Sequence, residues 1–481
     1  MKFFENIIKN KKNIIIIVLY LVSIIPTIFI IKKADCQNSE NFLISNLNSD
    51  DSSKNNSENA ATQETTDANE NKQITEPTEN SSSSSTNNSG TSSNINSGTK
   101  KKSSGSSSTA NNSSSSGSSN YSYLPSPAPV SYGHNVVGYY MSWSRYKGFT
   151  PENINASKLT HINYAFANIR SDLSIALADE SIDLQNFESL RNLKSKNKNL
   201  RTLISIGGWD YSKYFSDAAL NDTNRNLFAQ NCLNFVLKYG FDGIDIDWEY
   251  PVSGGMSTNI YRTADKQNYT LLLKTLKAKL NEQKNKDGRN YYLTAAGGTS
   301  NWYLNKIECS KITAYLDHIF IMAYDLNGPW SSYANFNAPL YNRADLPTDG
   351  GDVSGGASAY LSYGIPASKI VLGMPFYGYQ YTVVNNNNNG LGCKFSGASS
   401  ITYDDVVSKY LNNSNYACFF DETAKVPYIF GNNTFVSYED DRSITAKANF
   451  AKSKGFSGIG AWELSFDKTA KLLSVMSSIF K

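Results

Sequence analysis

Eight short apolar runs, separated by longer amphipathic segments, leave residues 134–481 few ways to fold. Each run is rich in Val, Ile, Tyr or Phe, which favour strands, and several of the segments between them carry apolar residues at helical spacing. The runs are Val136 to Met141, Thr160 to Phe166, Arg201 to Gly207, Gly243 to Glu249, Tyr291 to Gly297, His318 to Asp325, Lys369 to Gly378 and Gly455 to Glu463. Eight strands that alternate with helices predict an α/β fold, the (β/α)8 TIM barrel.

The interval between the seventh and eighth runs, residues 379–448, is too long for a connection within a barrel. It contains short pieces rich in Tyr and Val and broken by Asn and Gly, among them ITYDDVV, VPYIFG and FVSYEDD. This pattern predicts a small α+β subdomain inserted between strands 7 and 8. Because loops at the C-terminal ends of barrel strands build binding sites, we expect the insertion to form one wall of a cleft.

Residues 34–133 differ in composition from the rest of the chain. They are mostly Ser, Asn, Thr and Gly with scattered charges and almost no large apolar side chains. Such a segment cannot bury enough apolar surface to offset the entropy of ordering it. We therefore predict a disordered linker here, and we expect the function to reside in residues 134–481.

Residues 1–33 combine a basic start with a long apolar run. Four lysines lie within the first 12 residues, and the run from Ile14 to Ile31 has roughly the 18 residues that a membrane helix needs. The run ends at Lys32 and Lys33 rather than at small residues, which favours an uncleaved transmembrane anchor over a cleaved signal peptide. The lysine distribution predicts a cytoplasmic N-terminus. The rest of the chain would lie on the extracellular face of the membrane, or be secreted if the segment is cleaved.

Charge and cysteine content exclude several classes of protein. The chain has 45 basic and 42 acidic residues, and the basic residues are scattered, so we expect no nucleic-acid partner. Its five cysteines include no C-x-x-C pair, which argues against a zinc site. Cys393 and Cys418 either pair or remain free thiols. We expect no metal, no cofactor and a monomer, and the many Tyr and Trp residues suit a carbohydrate ligand.

Four acids, Asp242, Asp245, Asp247 and Glu249, interrupt the fourth run in the stretch FDGIDIDWEYP. Alternate residues of a strand face the same way, so Asp245, Asp247 and Glu249 share the face that points into the barrel. The isoleucines and the tryptophan between them share the opposite face, against the helices. Asp242 has the other parity and lies at the entry of the strand, which favours a supporting role.

Successive acids on this inner face lie about 6–7 Å apart, so they cannot all be ionised cheaply at neutral pH. Glu249 lies nearest the C-terminal mouth, where a substrate can reach it, and a protonated carboxyl there is a general acid. A buried polar network or a metal site is the alternative interpretation. Buried like charges are costly, and the apolar residues between the acids do not suit a calcium loop, so the pattern favours catalysis.

The acid run resembles the D-x-x-D-x-D-x-E signature of family 18 glycoside hydrolases, the chitinases, and Tyr250 and Pro251 also fit that family. The resemblance covers essentially all of residues 134–481. Further segments agree in chain order, namely VVGYYMSW, LTHINYAFA, SIGGWD, MAYDLNGPW, GMPFYG and GIGAWELSFD. It implies a chitinase with an insertion domain, acting on β-1,4-linked N-acetylglucosamine in chitin or chito-oligosaccharides.

The resemblance also implies a retaining mechanism in which the substrate supplies the nucleophile. Glu249 would protonate the glycosidic oxygen while the acetamide oxygen of the sugar on the non-reducing side of that bond attacks the same sugar's anomeric carbon, which gives an oxazolinium ion that water then opens. Asp247 would accept a hydrogen bond from the acetamide N–H and share a proton with Asp245. Tyr324 would donate to the acetamide oxygen.

By the same resemblance, aromatic and polar residues would line the sugar subsites. Trp462 would form the apolar floor under the distorted sugar, and Met322, Asp325 and Tyr377 would line that subsite. The other candidates are Trp209 and Trp143, which either line the cleft or pack at strand ends, and Tyr139 and Phe166, which match barrel-interior positions. Tyr379 is a departure, because many relatives carry Arg there, and it puts in doubt any substrate contact of that Arg.

Two other functions remain open. A non-hydrolytic chitin-binding lectin would have the same fold, but such proteins usually lose the terminal acid that Glu249 represents. An endo-β-N-acetylglucosaminidase acting on N-glycans or peptidoglycan would share the chemistry, but those relatives tend to lack the Trp-Glu-Tyr-Pro sequence present here.

Overall fold

The computed structural model describes residues 134–346 and 350–480. Its strands are β1 (Asn135–Met141), β2 (His161–Ile169), β3 (Ile175–Leu177), β4 (Arg201–Gly207), β5 (Gly243–Asp247), β6 (Tyr292–Gly298), β7 (His318–Met322), β8 (Ile370–Pro375), β9 (Tyr377–Val383), β10 (Phe395–Thr402), β11 (Ala417–Asp421), β12 (Val426–Gly431), β13 (Thr434–Ser437) and β14 (Gly458–Trp462).

A closed barrel of parallel strands forms the main body of the described residues. Its strands, in sheet order, are β1, β14, β8, β7, β6, β5, β4 and β2, and the pairing of β1 with β2 closes the ring. The short β3 adds to β2 in antiparallel orientation outside the ring. Each of the eight predicted strands overlaps one barrel strand, so the predicted (β/α)8 barrel is confirmed.

Most of the helices lie between successive barrel strands in the chain. The helices are α1 (Asp183–Lys196), α2 (Gly208–Tyr211), α3 (Phe215–Ala219), α4 (Asp222–Tyr239), α5 (Asp265–Asp287), α6 (Asn301–Leu304), α7 (Cys309–Ile312), α8 (Val353–Ser362), α9 (Tyr403–Val406), α10 (Asp441–Ser453) and α11 (Lys471–Phe480). Short 3-10 turns occupy several of the remaining connections.

The ends of α4 and α5 follow from local sequence. Asn221 caps α4 by accepting a hydrogen bond from the Asn224 N–H at 2.9 Å, which satisfies a donor that the helix itself leaves unpaired. Gly240 and Gly288 follow the two helices with φ of 76° and 74°, a conformation that glycine adopts at little cost. These helices connect β4 to β5 and β5 to β6, so they fix β5 in the barrel wall.

The strands β9 to β13 form a separate five-stranded antiparallel sheet in the order β10, β9, β13, β12, β11. This sheet lies between β8 and β14 in the chain, which confirms the predicted insertion between barrel strands 7 and 8. Its first strand begins at Tyr377, and only Phe376 separates it from the end of β8 at Pro375. The helix α10, part of which fell within the predicted insertion, contacts β14 and α11 of the barrel as well as β12.

The predicted anchor, residues 1–33, and the predicted linker, residues 34–133, lie outside the described residues. In residues 134–346 and 350–480, no helix combines the length and apolar character needed to cross a membrane. Cys393 and Cys418, whose pairing the sequence left open, are both free thiols, and Cys418 is exposed.

Candidate active site

The acids of the fourth run lie at and just beyond the C-terminal end of β5. The strand ends at Asp247, two residues before its predicted end, so Trp248 and Glu249 belong to the following loop. Trp248 is buried on the helix side of the barrel, 5.3 Å from Phe215 of α3 and 5.6 Å from Tyr269 of α5 between ring centroids. This packing confirms the predicted alternation, with the acids on the opposite, inner face.

Asp245 is fully buried and held by hydroxyl groups from three other barrel strands, β1, β4 and β6. Its Oδ2 accepts from the hydroxyls of Tyr139 and Ser205 at 2.7 and 2.9 Å, and its Oδ1 accepts from Thr294 at 2.5 Å. Burial raises the pKa of the Asp245 carboxyl, and the three hydroxyl donors partly offset that rise. The side chain is therefore fixed below the mouth of the barrel.

Asp247 is the least satisfied of the three acids. Its carboxyl is buried, and its Oδ1 has no hydrogen-bond partner among the described residues. Burial raises its pKa well above the ordinary value, and the nearby Glu249 and Asp245 carboxyls raise it further. An unpaired buried acceptor is costly, so this atom is suited to receive a hydrogen bond from a ligand in the cleft.

Glu249 lines the cleft and is anchored through its backbone. Its N–H donates to the Ser212 Oγ at 2.9 Å, and its carbonyl accepts from the Asn259 side chain at 2.9 Å. Burial raises the pKa of its carboxyl to about 7; a hydrogen bond from Tyr250 works against that rise, and the charges of Asp325 and Asp210 add to it. Glu249 can therefore give and take a proton near neutral pH.

Asp242 has a structural role, as its parity predicted. It is buried at the entry of β5, where it pairs with Lys194 of α1 at 2.5 Å and accepts from the Thr202 N–H at 2.8 Å. These contacts tie α1 and β4 to the start of β5.

A cleft of about 470 Å³ opens at the C-terminal end of the barrel around Glu249. It collects every candidate site residue except Asp245, which lies beneath it. The predicted residues that line it are Tyr139, Trp143, Phe166, Trp209, Asp247, Glu249, Met322, Tyr324, Asp325, Tyr377 and Trp462. Residues from six barrel strands or the loops after them thus converge on one site.

Aromatic rings form one side of the cleft. Trp462, at the end of β14, lies 5.7 Å from the ring of Phe166 in a stacked arrangement and 5.4 Å from the ring of Tyr139. Trp143 and Trp209 are 36% and 49% exposed, so both line the cleft rather than pack in the core. Flat apolar faces of this kind suit the faces of sugar rings.

Tyr324, Asp325 and Tyr377 form another side of the cleft lining. The ring centroids of Tyr324 and Tyr377 are 6.0 Å apart, and the Tyr377 hydroxyl donates to Asp325 at 2.5 Å. Burial and then the charges of Asp247, Asp325 and Glu249 raise the pKa of Tyr324 well above 10, so its hydroxyl remains a proton donor. Met322, at the end of β7, completes this side.

The cleft lining also includes residues that the sequence analysis did not assign to the site, among them Asp210, Tyr250 and Trp302. Each follows the C-terminal end of a barrel strand, and that position was the signal that could have identified them. Trp302 is 48% exposed, its ring is perpendicular to that of Tyr250, and the Lys306 ammonium lies over its face. It extends the aromatic surface beyond Glu249.

The raised pKa of Glu249 predicts a stability gain on its replacement. Below about pH 4.5 the carboxyl is neutral in both folded and unfolded states; as pH rises towards 7, only the unfolded state ionises freely, so wild-type stability falls. Glu249→Gln should therefore be more stable than wild type by about 1–3 kcal/mol at about pH 8, with no such gain at about pH 4.

Urea unfolding of the full chain at both pH values measures this difference. Glu188→Gln, which changes an exposed residue of α1 in the same way, is the matched control and should show no gain at either pH. An equal stability of wild type and Glu249→Gln at the higher pH would contradict the burial of a titrating carboxyl.

Comparison with known proteins places the chain in a family. The family model "Glycosyl hydrolases family 18" matches residues 135–467. Chitinase A1 of Niallia circulans is 37% identical over 409 residues, covering 72% of this chain and 58% of that protein. Chitotriosidase-1 of Mus musculus is 32% identical over 349 residues, covering 69% of this chain and 73% of that protein.

A solved structure agrees with these sequence matches. Chitinase ChiA74 from Bacillus thuringiensis superposes with a TM-score of 0.68 at 32% identity, covering 72% of this chain and 69% of that chain. The matched region spans 58% of the length of the Niallia protein. Fold, cleft and sequence lead to one assignment: the chain belongs to glycosyl hydrolases family 18 and is a glycoside hydrolase.

Proposed function

We propose that the protein is a chitinase that hydrolyses β-1,4-linked N-acetylglucosamine polymers or oligomers with retention of configuration. The observation that carries the proposal is a pair of carboxyls in one cleft: Glu249, whose pKa is raised to about 7, and Asp247, whose buried Oδ1 has no partner among the described residues. The relatives compared above are two chitinases and a chitotriosidase, which supports this substrate class.

Glu249 acts as the general acid in the first step. Its carboxyl is largely protonated below about pH 7, so it can protonate the glycosidic oxygen as the bond to the anomeric carbon breaks. The carboxylate left behind then takes a proton from the incoming water in the second step. One residue thereby serves as acid and as base.

The acetamide oxygen of the substrate is the nucleophile. Asp245 is unsuited to that role because it is fully buried and its two oxygens already accept from three hydroxyls. The acetamide oxygen of the sugar on the non-reducing side attacks that sugar's anomeric carbon, which gives an oxazolinium ion. Water then opens this ion, and the two inversions retain the β configuration.

Asp247 and Tyr324 orient the acetamide group. The Asp247 Oδ1 accepts a hydrogen bond from the acetamide N–H, which gives this buried oxygen its missing partner. Its negative charge, shared with the Asp245 below, balances the positive charge that develops on the oxazolinium ion. The Tyr324 hydroxyl donates to the acetamide oxygen, and Trp462 supports the apolar face of the same sugar.

Product analysis with three substrates tests the function. The full chain is incubated with a chito-oligosaccharide, an N-glycan and peptidoglycan, and the products are sized by mass spectrometry. We expect cleavage of the chito-oligosaccharide. Cleavage of the N-glycan or peptidoglycan alone would replace the chitinase by an endo-β-N-acetylglucosaminidase, and tight chito-oligosaccharide binding without cleavage would indicate a lectin.

We also propose that residues 1–33 anchor this enzyme, so that the catalytic domain acts on the extracellular face of the membrane. The basic start and the apolar run from Ile14 to Ile31 support this placement. Retention of the intact chain in the membrane fraction after a salt wash is the expected result. Recovery of a shortened chain from the medium would instead show a cleaved signal peptide.

A further inference from the structure

The inserted sheet reaches the active site through the first residues of its strand β9. Tyr377 and Tyr379 are alternate residues of β9 and face the same way. Their hydroxyls both donate to the Oδ1 of Asp325, at 2.5 and 2.7 Å. Tyr379 is buried, its ring stands edge-on to Trp330 at 5.7 Å, and its backbone pairs with β10 and β13. Its backbone is therefore held within the inserted sheet, while its side chain contacts residues that follow barrel strand β7.

The backbone of Asp325 is held against the same sheet. Its N–H donates to the Asn337 Oδ1 at 2.8 Å. Asn337 in turn donates through its side chain to the Tyr377 carbonyl at 3.1 Å and through its N–H to the Ser437 Oγ of β13 at 2.8 Å. Asp325 thus has its main chain and one carboxylate oxygen fixed by the insertion, while its side chain lines the cleft together with Glu249.

The charge of Asp325 acts on Glu249. Burial raises the pKa of Asp325, and the hydrogen bonds from Tyr377 and Tyr379 lower it again, so the two hydroxyls favour the ionised carboxylate. Burial raises the pKa of Glu249 most, and the negative charge of Asp325 raises it further, more than the charge of Asp210 does. A change at Tyr379 should therefore reach Glu249 without any direct contact between the two residues.

We propose that Tyr379 is a positioning residue through which the inserted sheet tunes the acid Glu249, by holding the Asp325 carboxylate in place within the same cleft. This inference rests on the proposed function of Glu249. It assigns the insertion a role in the chemistry of the site, in addition to forming a wall of the cleft.

Two tyrosine-to-phenylalanine variants on one strand provide a matched test. Tyr379→Phe removes a hydroxyl that donates to Asp325. Tyr381→Phe removes the next hydroxyl on the same face of β9, which is buried and has no hydrogen-bond partner among the described residues. The pH dependence of kcat/KM for chito-oligosaccharide hydrolysis is measured for wild type, both variants, Asp325→Asn and Asp325→Asn combined with Tyr379→Phe.

We expect Tyr379→Phe to move the alkaline limb of the profile to lower pH by roughly half a unit, because less negative charge then opposes ionisation of Glu249. Tyr381→Phe should leave the limb in place. Asp325→Asn should move it further in the same direction, and adding Tyr379→Phe to that variant should cause no additional shift.

The outcomes separate this inference from the proposed function. If wild type hydrolyses no chito-oligosaccharide, the proposed function fails. If wild type shows an alkaline limb but Tyr379→Phe and Tyr381→Phe give the same profile, only the role of Tyr379 fails. A uniform loss of activity in Tyr379→Phe without a shift, or an additional shift in the Asp325→Asn background, would likewise overturn the coupling.

Discussion

Replacement of Glu249 by glutamine is expected to lower kcat for chito-oligosaccharide hydrolysis by about 10³-fold, because an amide cannot donate and recover a proton at neutral pH. Binding of the oligosaccharide should stay within about threefold of wild type, since the side chain keeps its shape and the lost interaction belongs to the transition state. Initial rates by reducing-end assay and affinity by calorimetry measure the two effects.

Glu188→Gln on the exposed face of α1 is the control and should retain wild-type turnover. If Glu249→Gln keeps more than about a tenth of wild-type kcat, another group supplies the proton. If the variant loses oligosaccharide binding as well as turnover, Glu249 contributes to binding of the substrate in the ground state. That result would contradict its assignment as a residue that acts only in the transition state.

Asp247→Asn should lower kcat by about 10²-fold and change the pH profile, because the acetamide loses its charged partner while the positive charge develops. In wild type, Asp247 and Glu249 interact closely, so their protons leave in steps that belong to the pair. In the variant only Glu249 of this pair can titrate. The decrease of kcat at acidic pH should therefore become smaller than in wild type.

Urea unfolding distinguishes this effect from damage to the fold. Asp247 is buried with an unpaired oxygen, so its neutralisation should not reduce the free energy of unfolding at neutral pH. A variant of normal stability and unchanged pH profile would contradict the coupling of the two acids. A variant that unfolds easily would show that Asp247 supports the barrel instead.

The barrel and the acids could be predicted because their signals are local. Alternation in the fourth run places Trp248 against the helices and Asp245 inside the barrel, and both positions follow from the period of a strand. The predicted end of that strand was wrong by two residues, because Trp248 and Glu249 continue the alternating pattern into the loop. The hydrophobic pattern of a strand does not show where its hydrogen bonding to the neighbouring strands ends.

The other residues of the cleft are brought together by contacts between distant parts of the chain, which local sequence patterns do not predict. Trp302 and Asp210 were missed because each lies in a four-residue helix after a barrel strand, which is too short to show a hydrophobic period. Tyr379 was noted only as a departure from the family. Its hydrogen bond to Asp325 joins residues 54 positions apart and depends on how the inserted sheet packs on the barrel, which the sequence does not specify.

The stereochemistry of the first product tests the proposed mechanism most directly. The full chain is mixed with a chito-oligosaccharide, and proton NMR spectra of the sugar products are recorded before mutarotation is complete. These spectra identify the anomer at the new reducing end. Attack by the substrate acetamide followed by water predicts the β-anomer, and a substrate that lacks the acetyl group on the attacked sugar should not be cleaved. Initial release of the α-anomer, or equal cleavage of the deacetylated substrate, would contradict it.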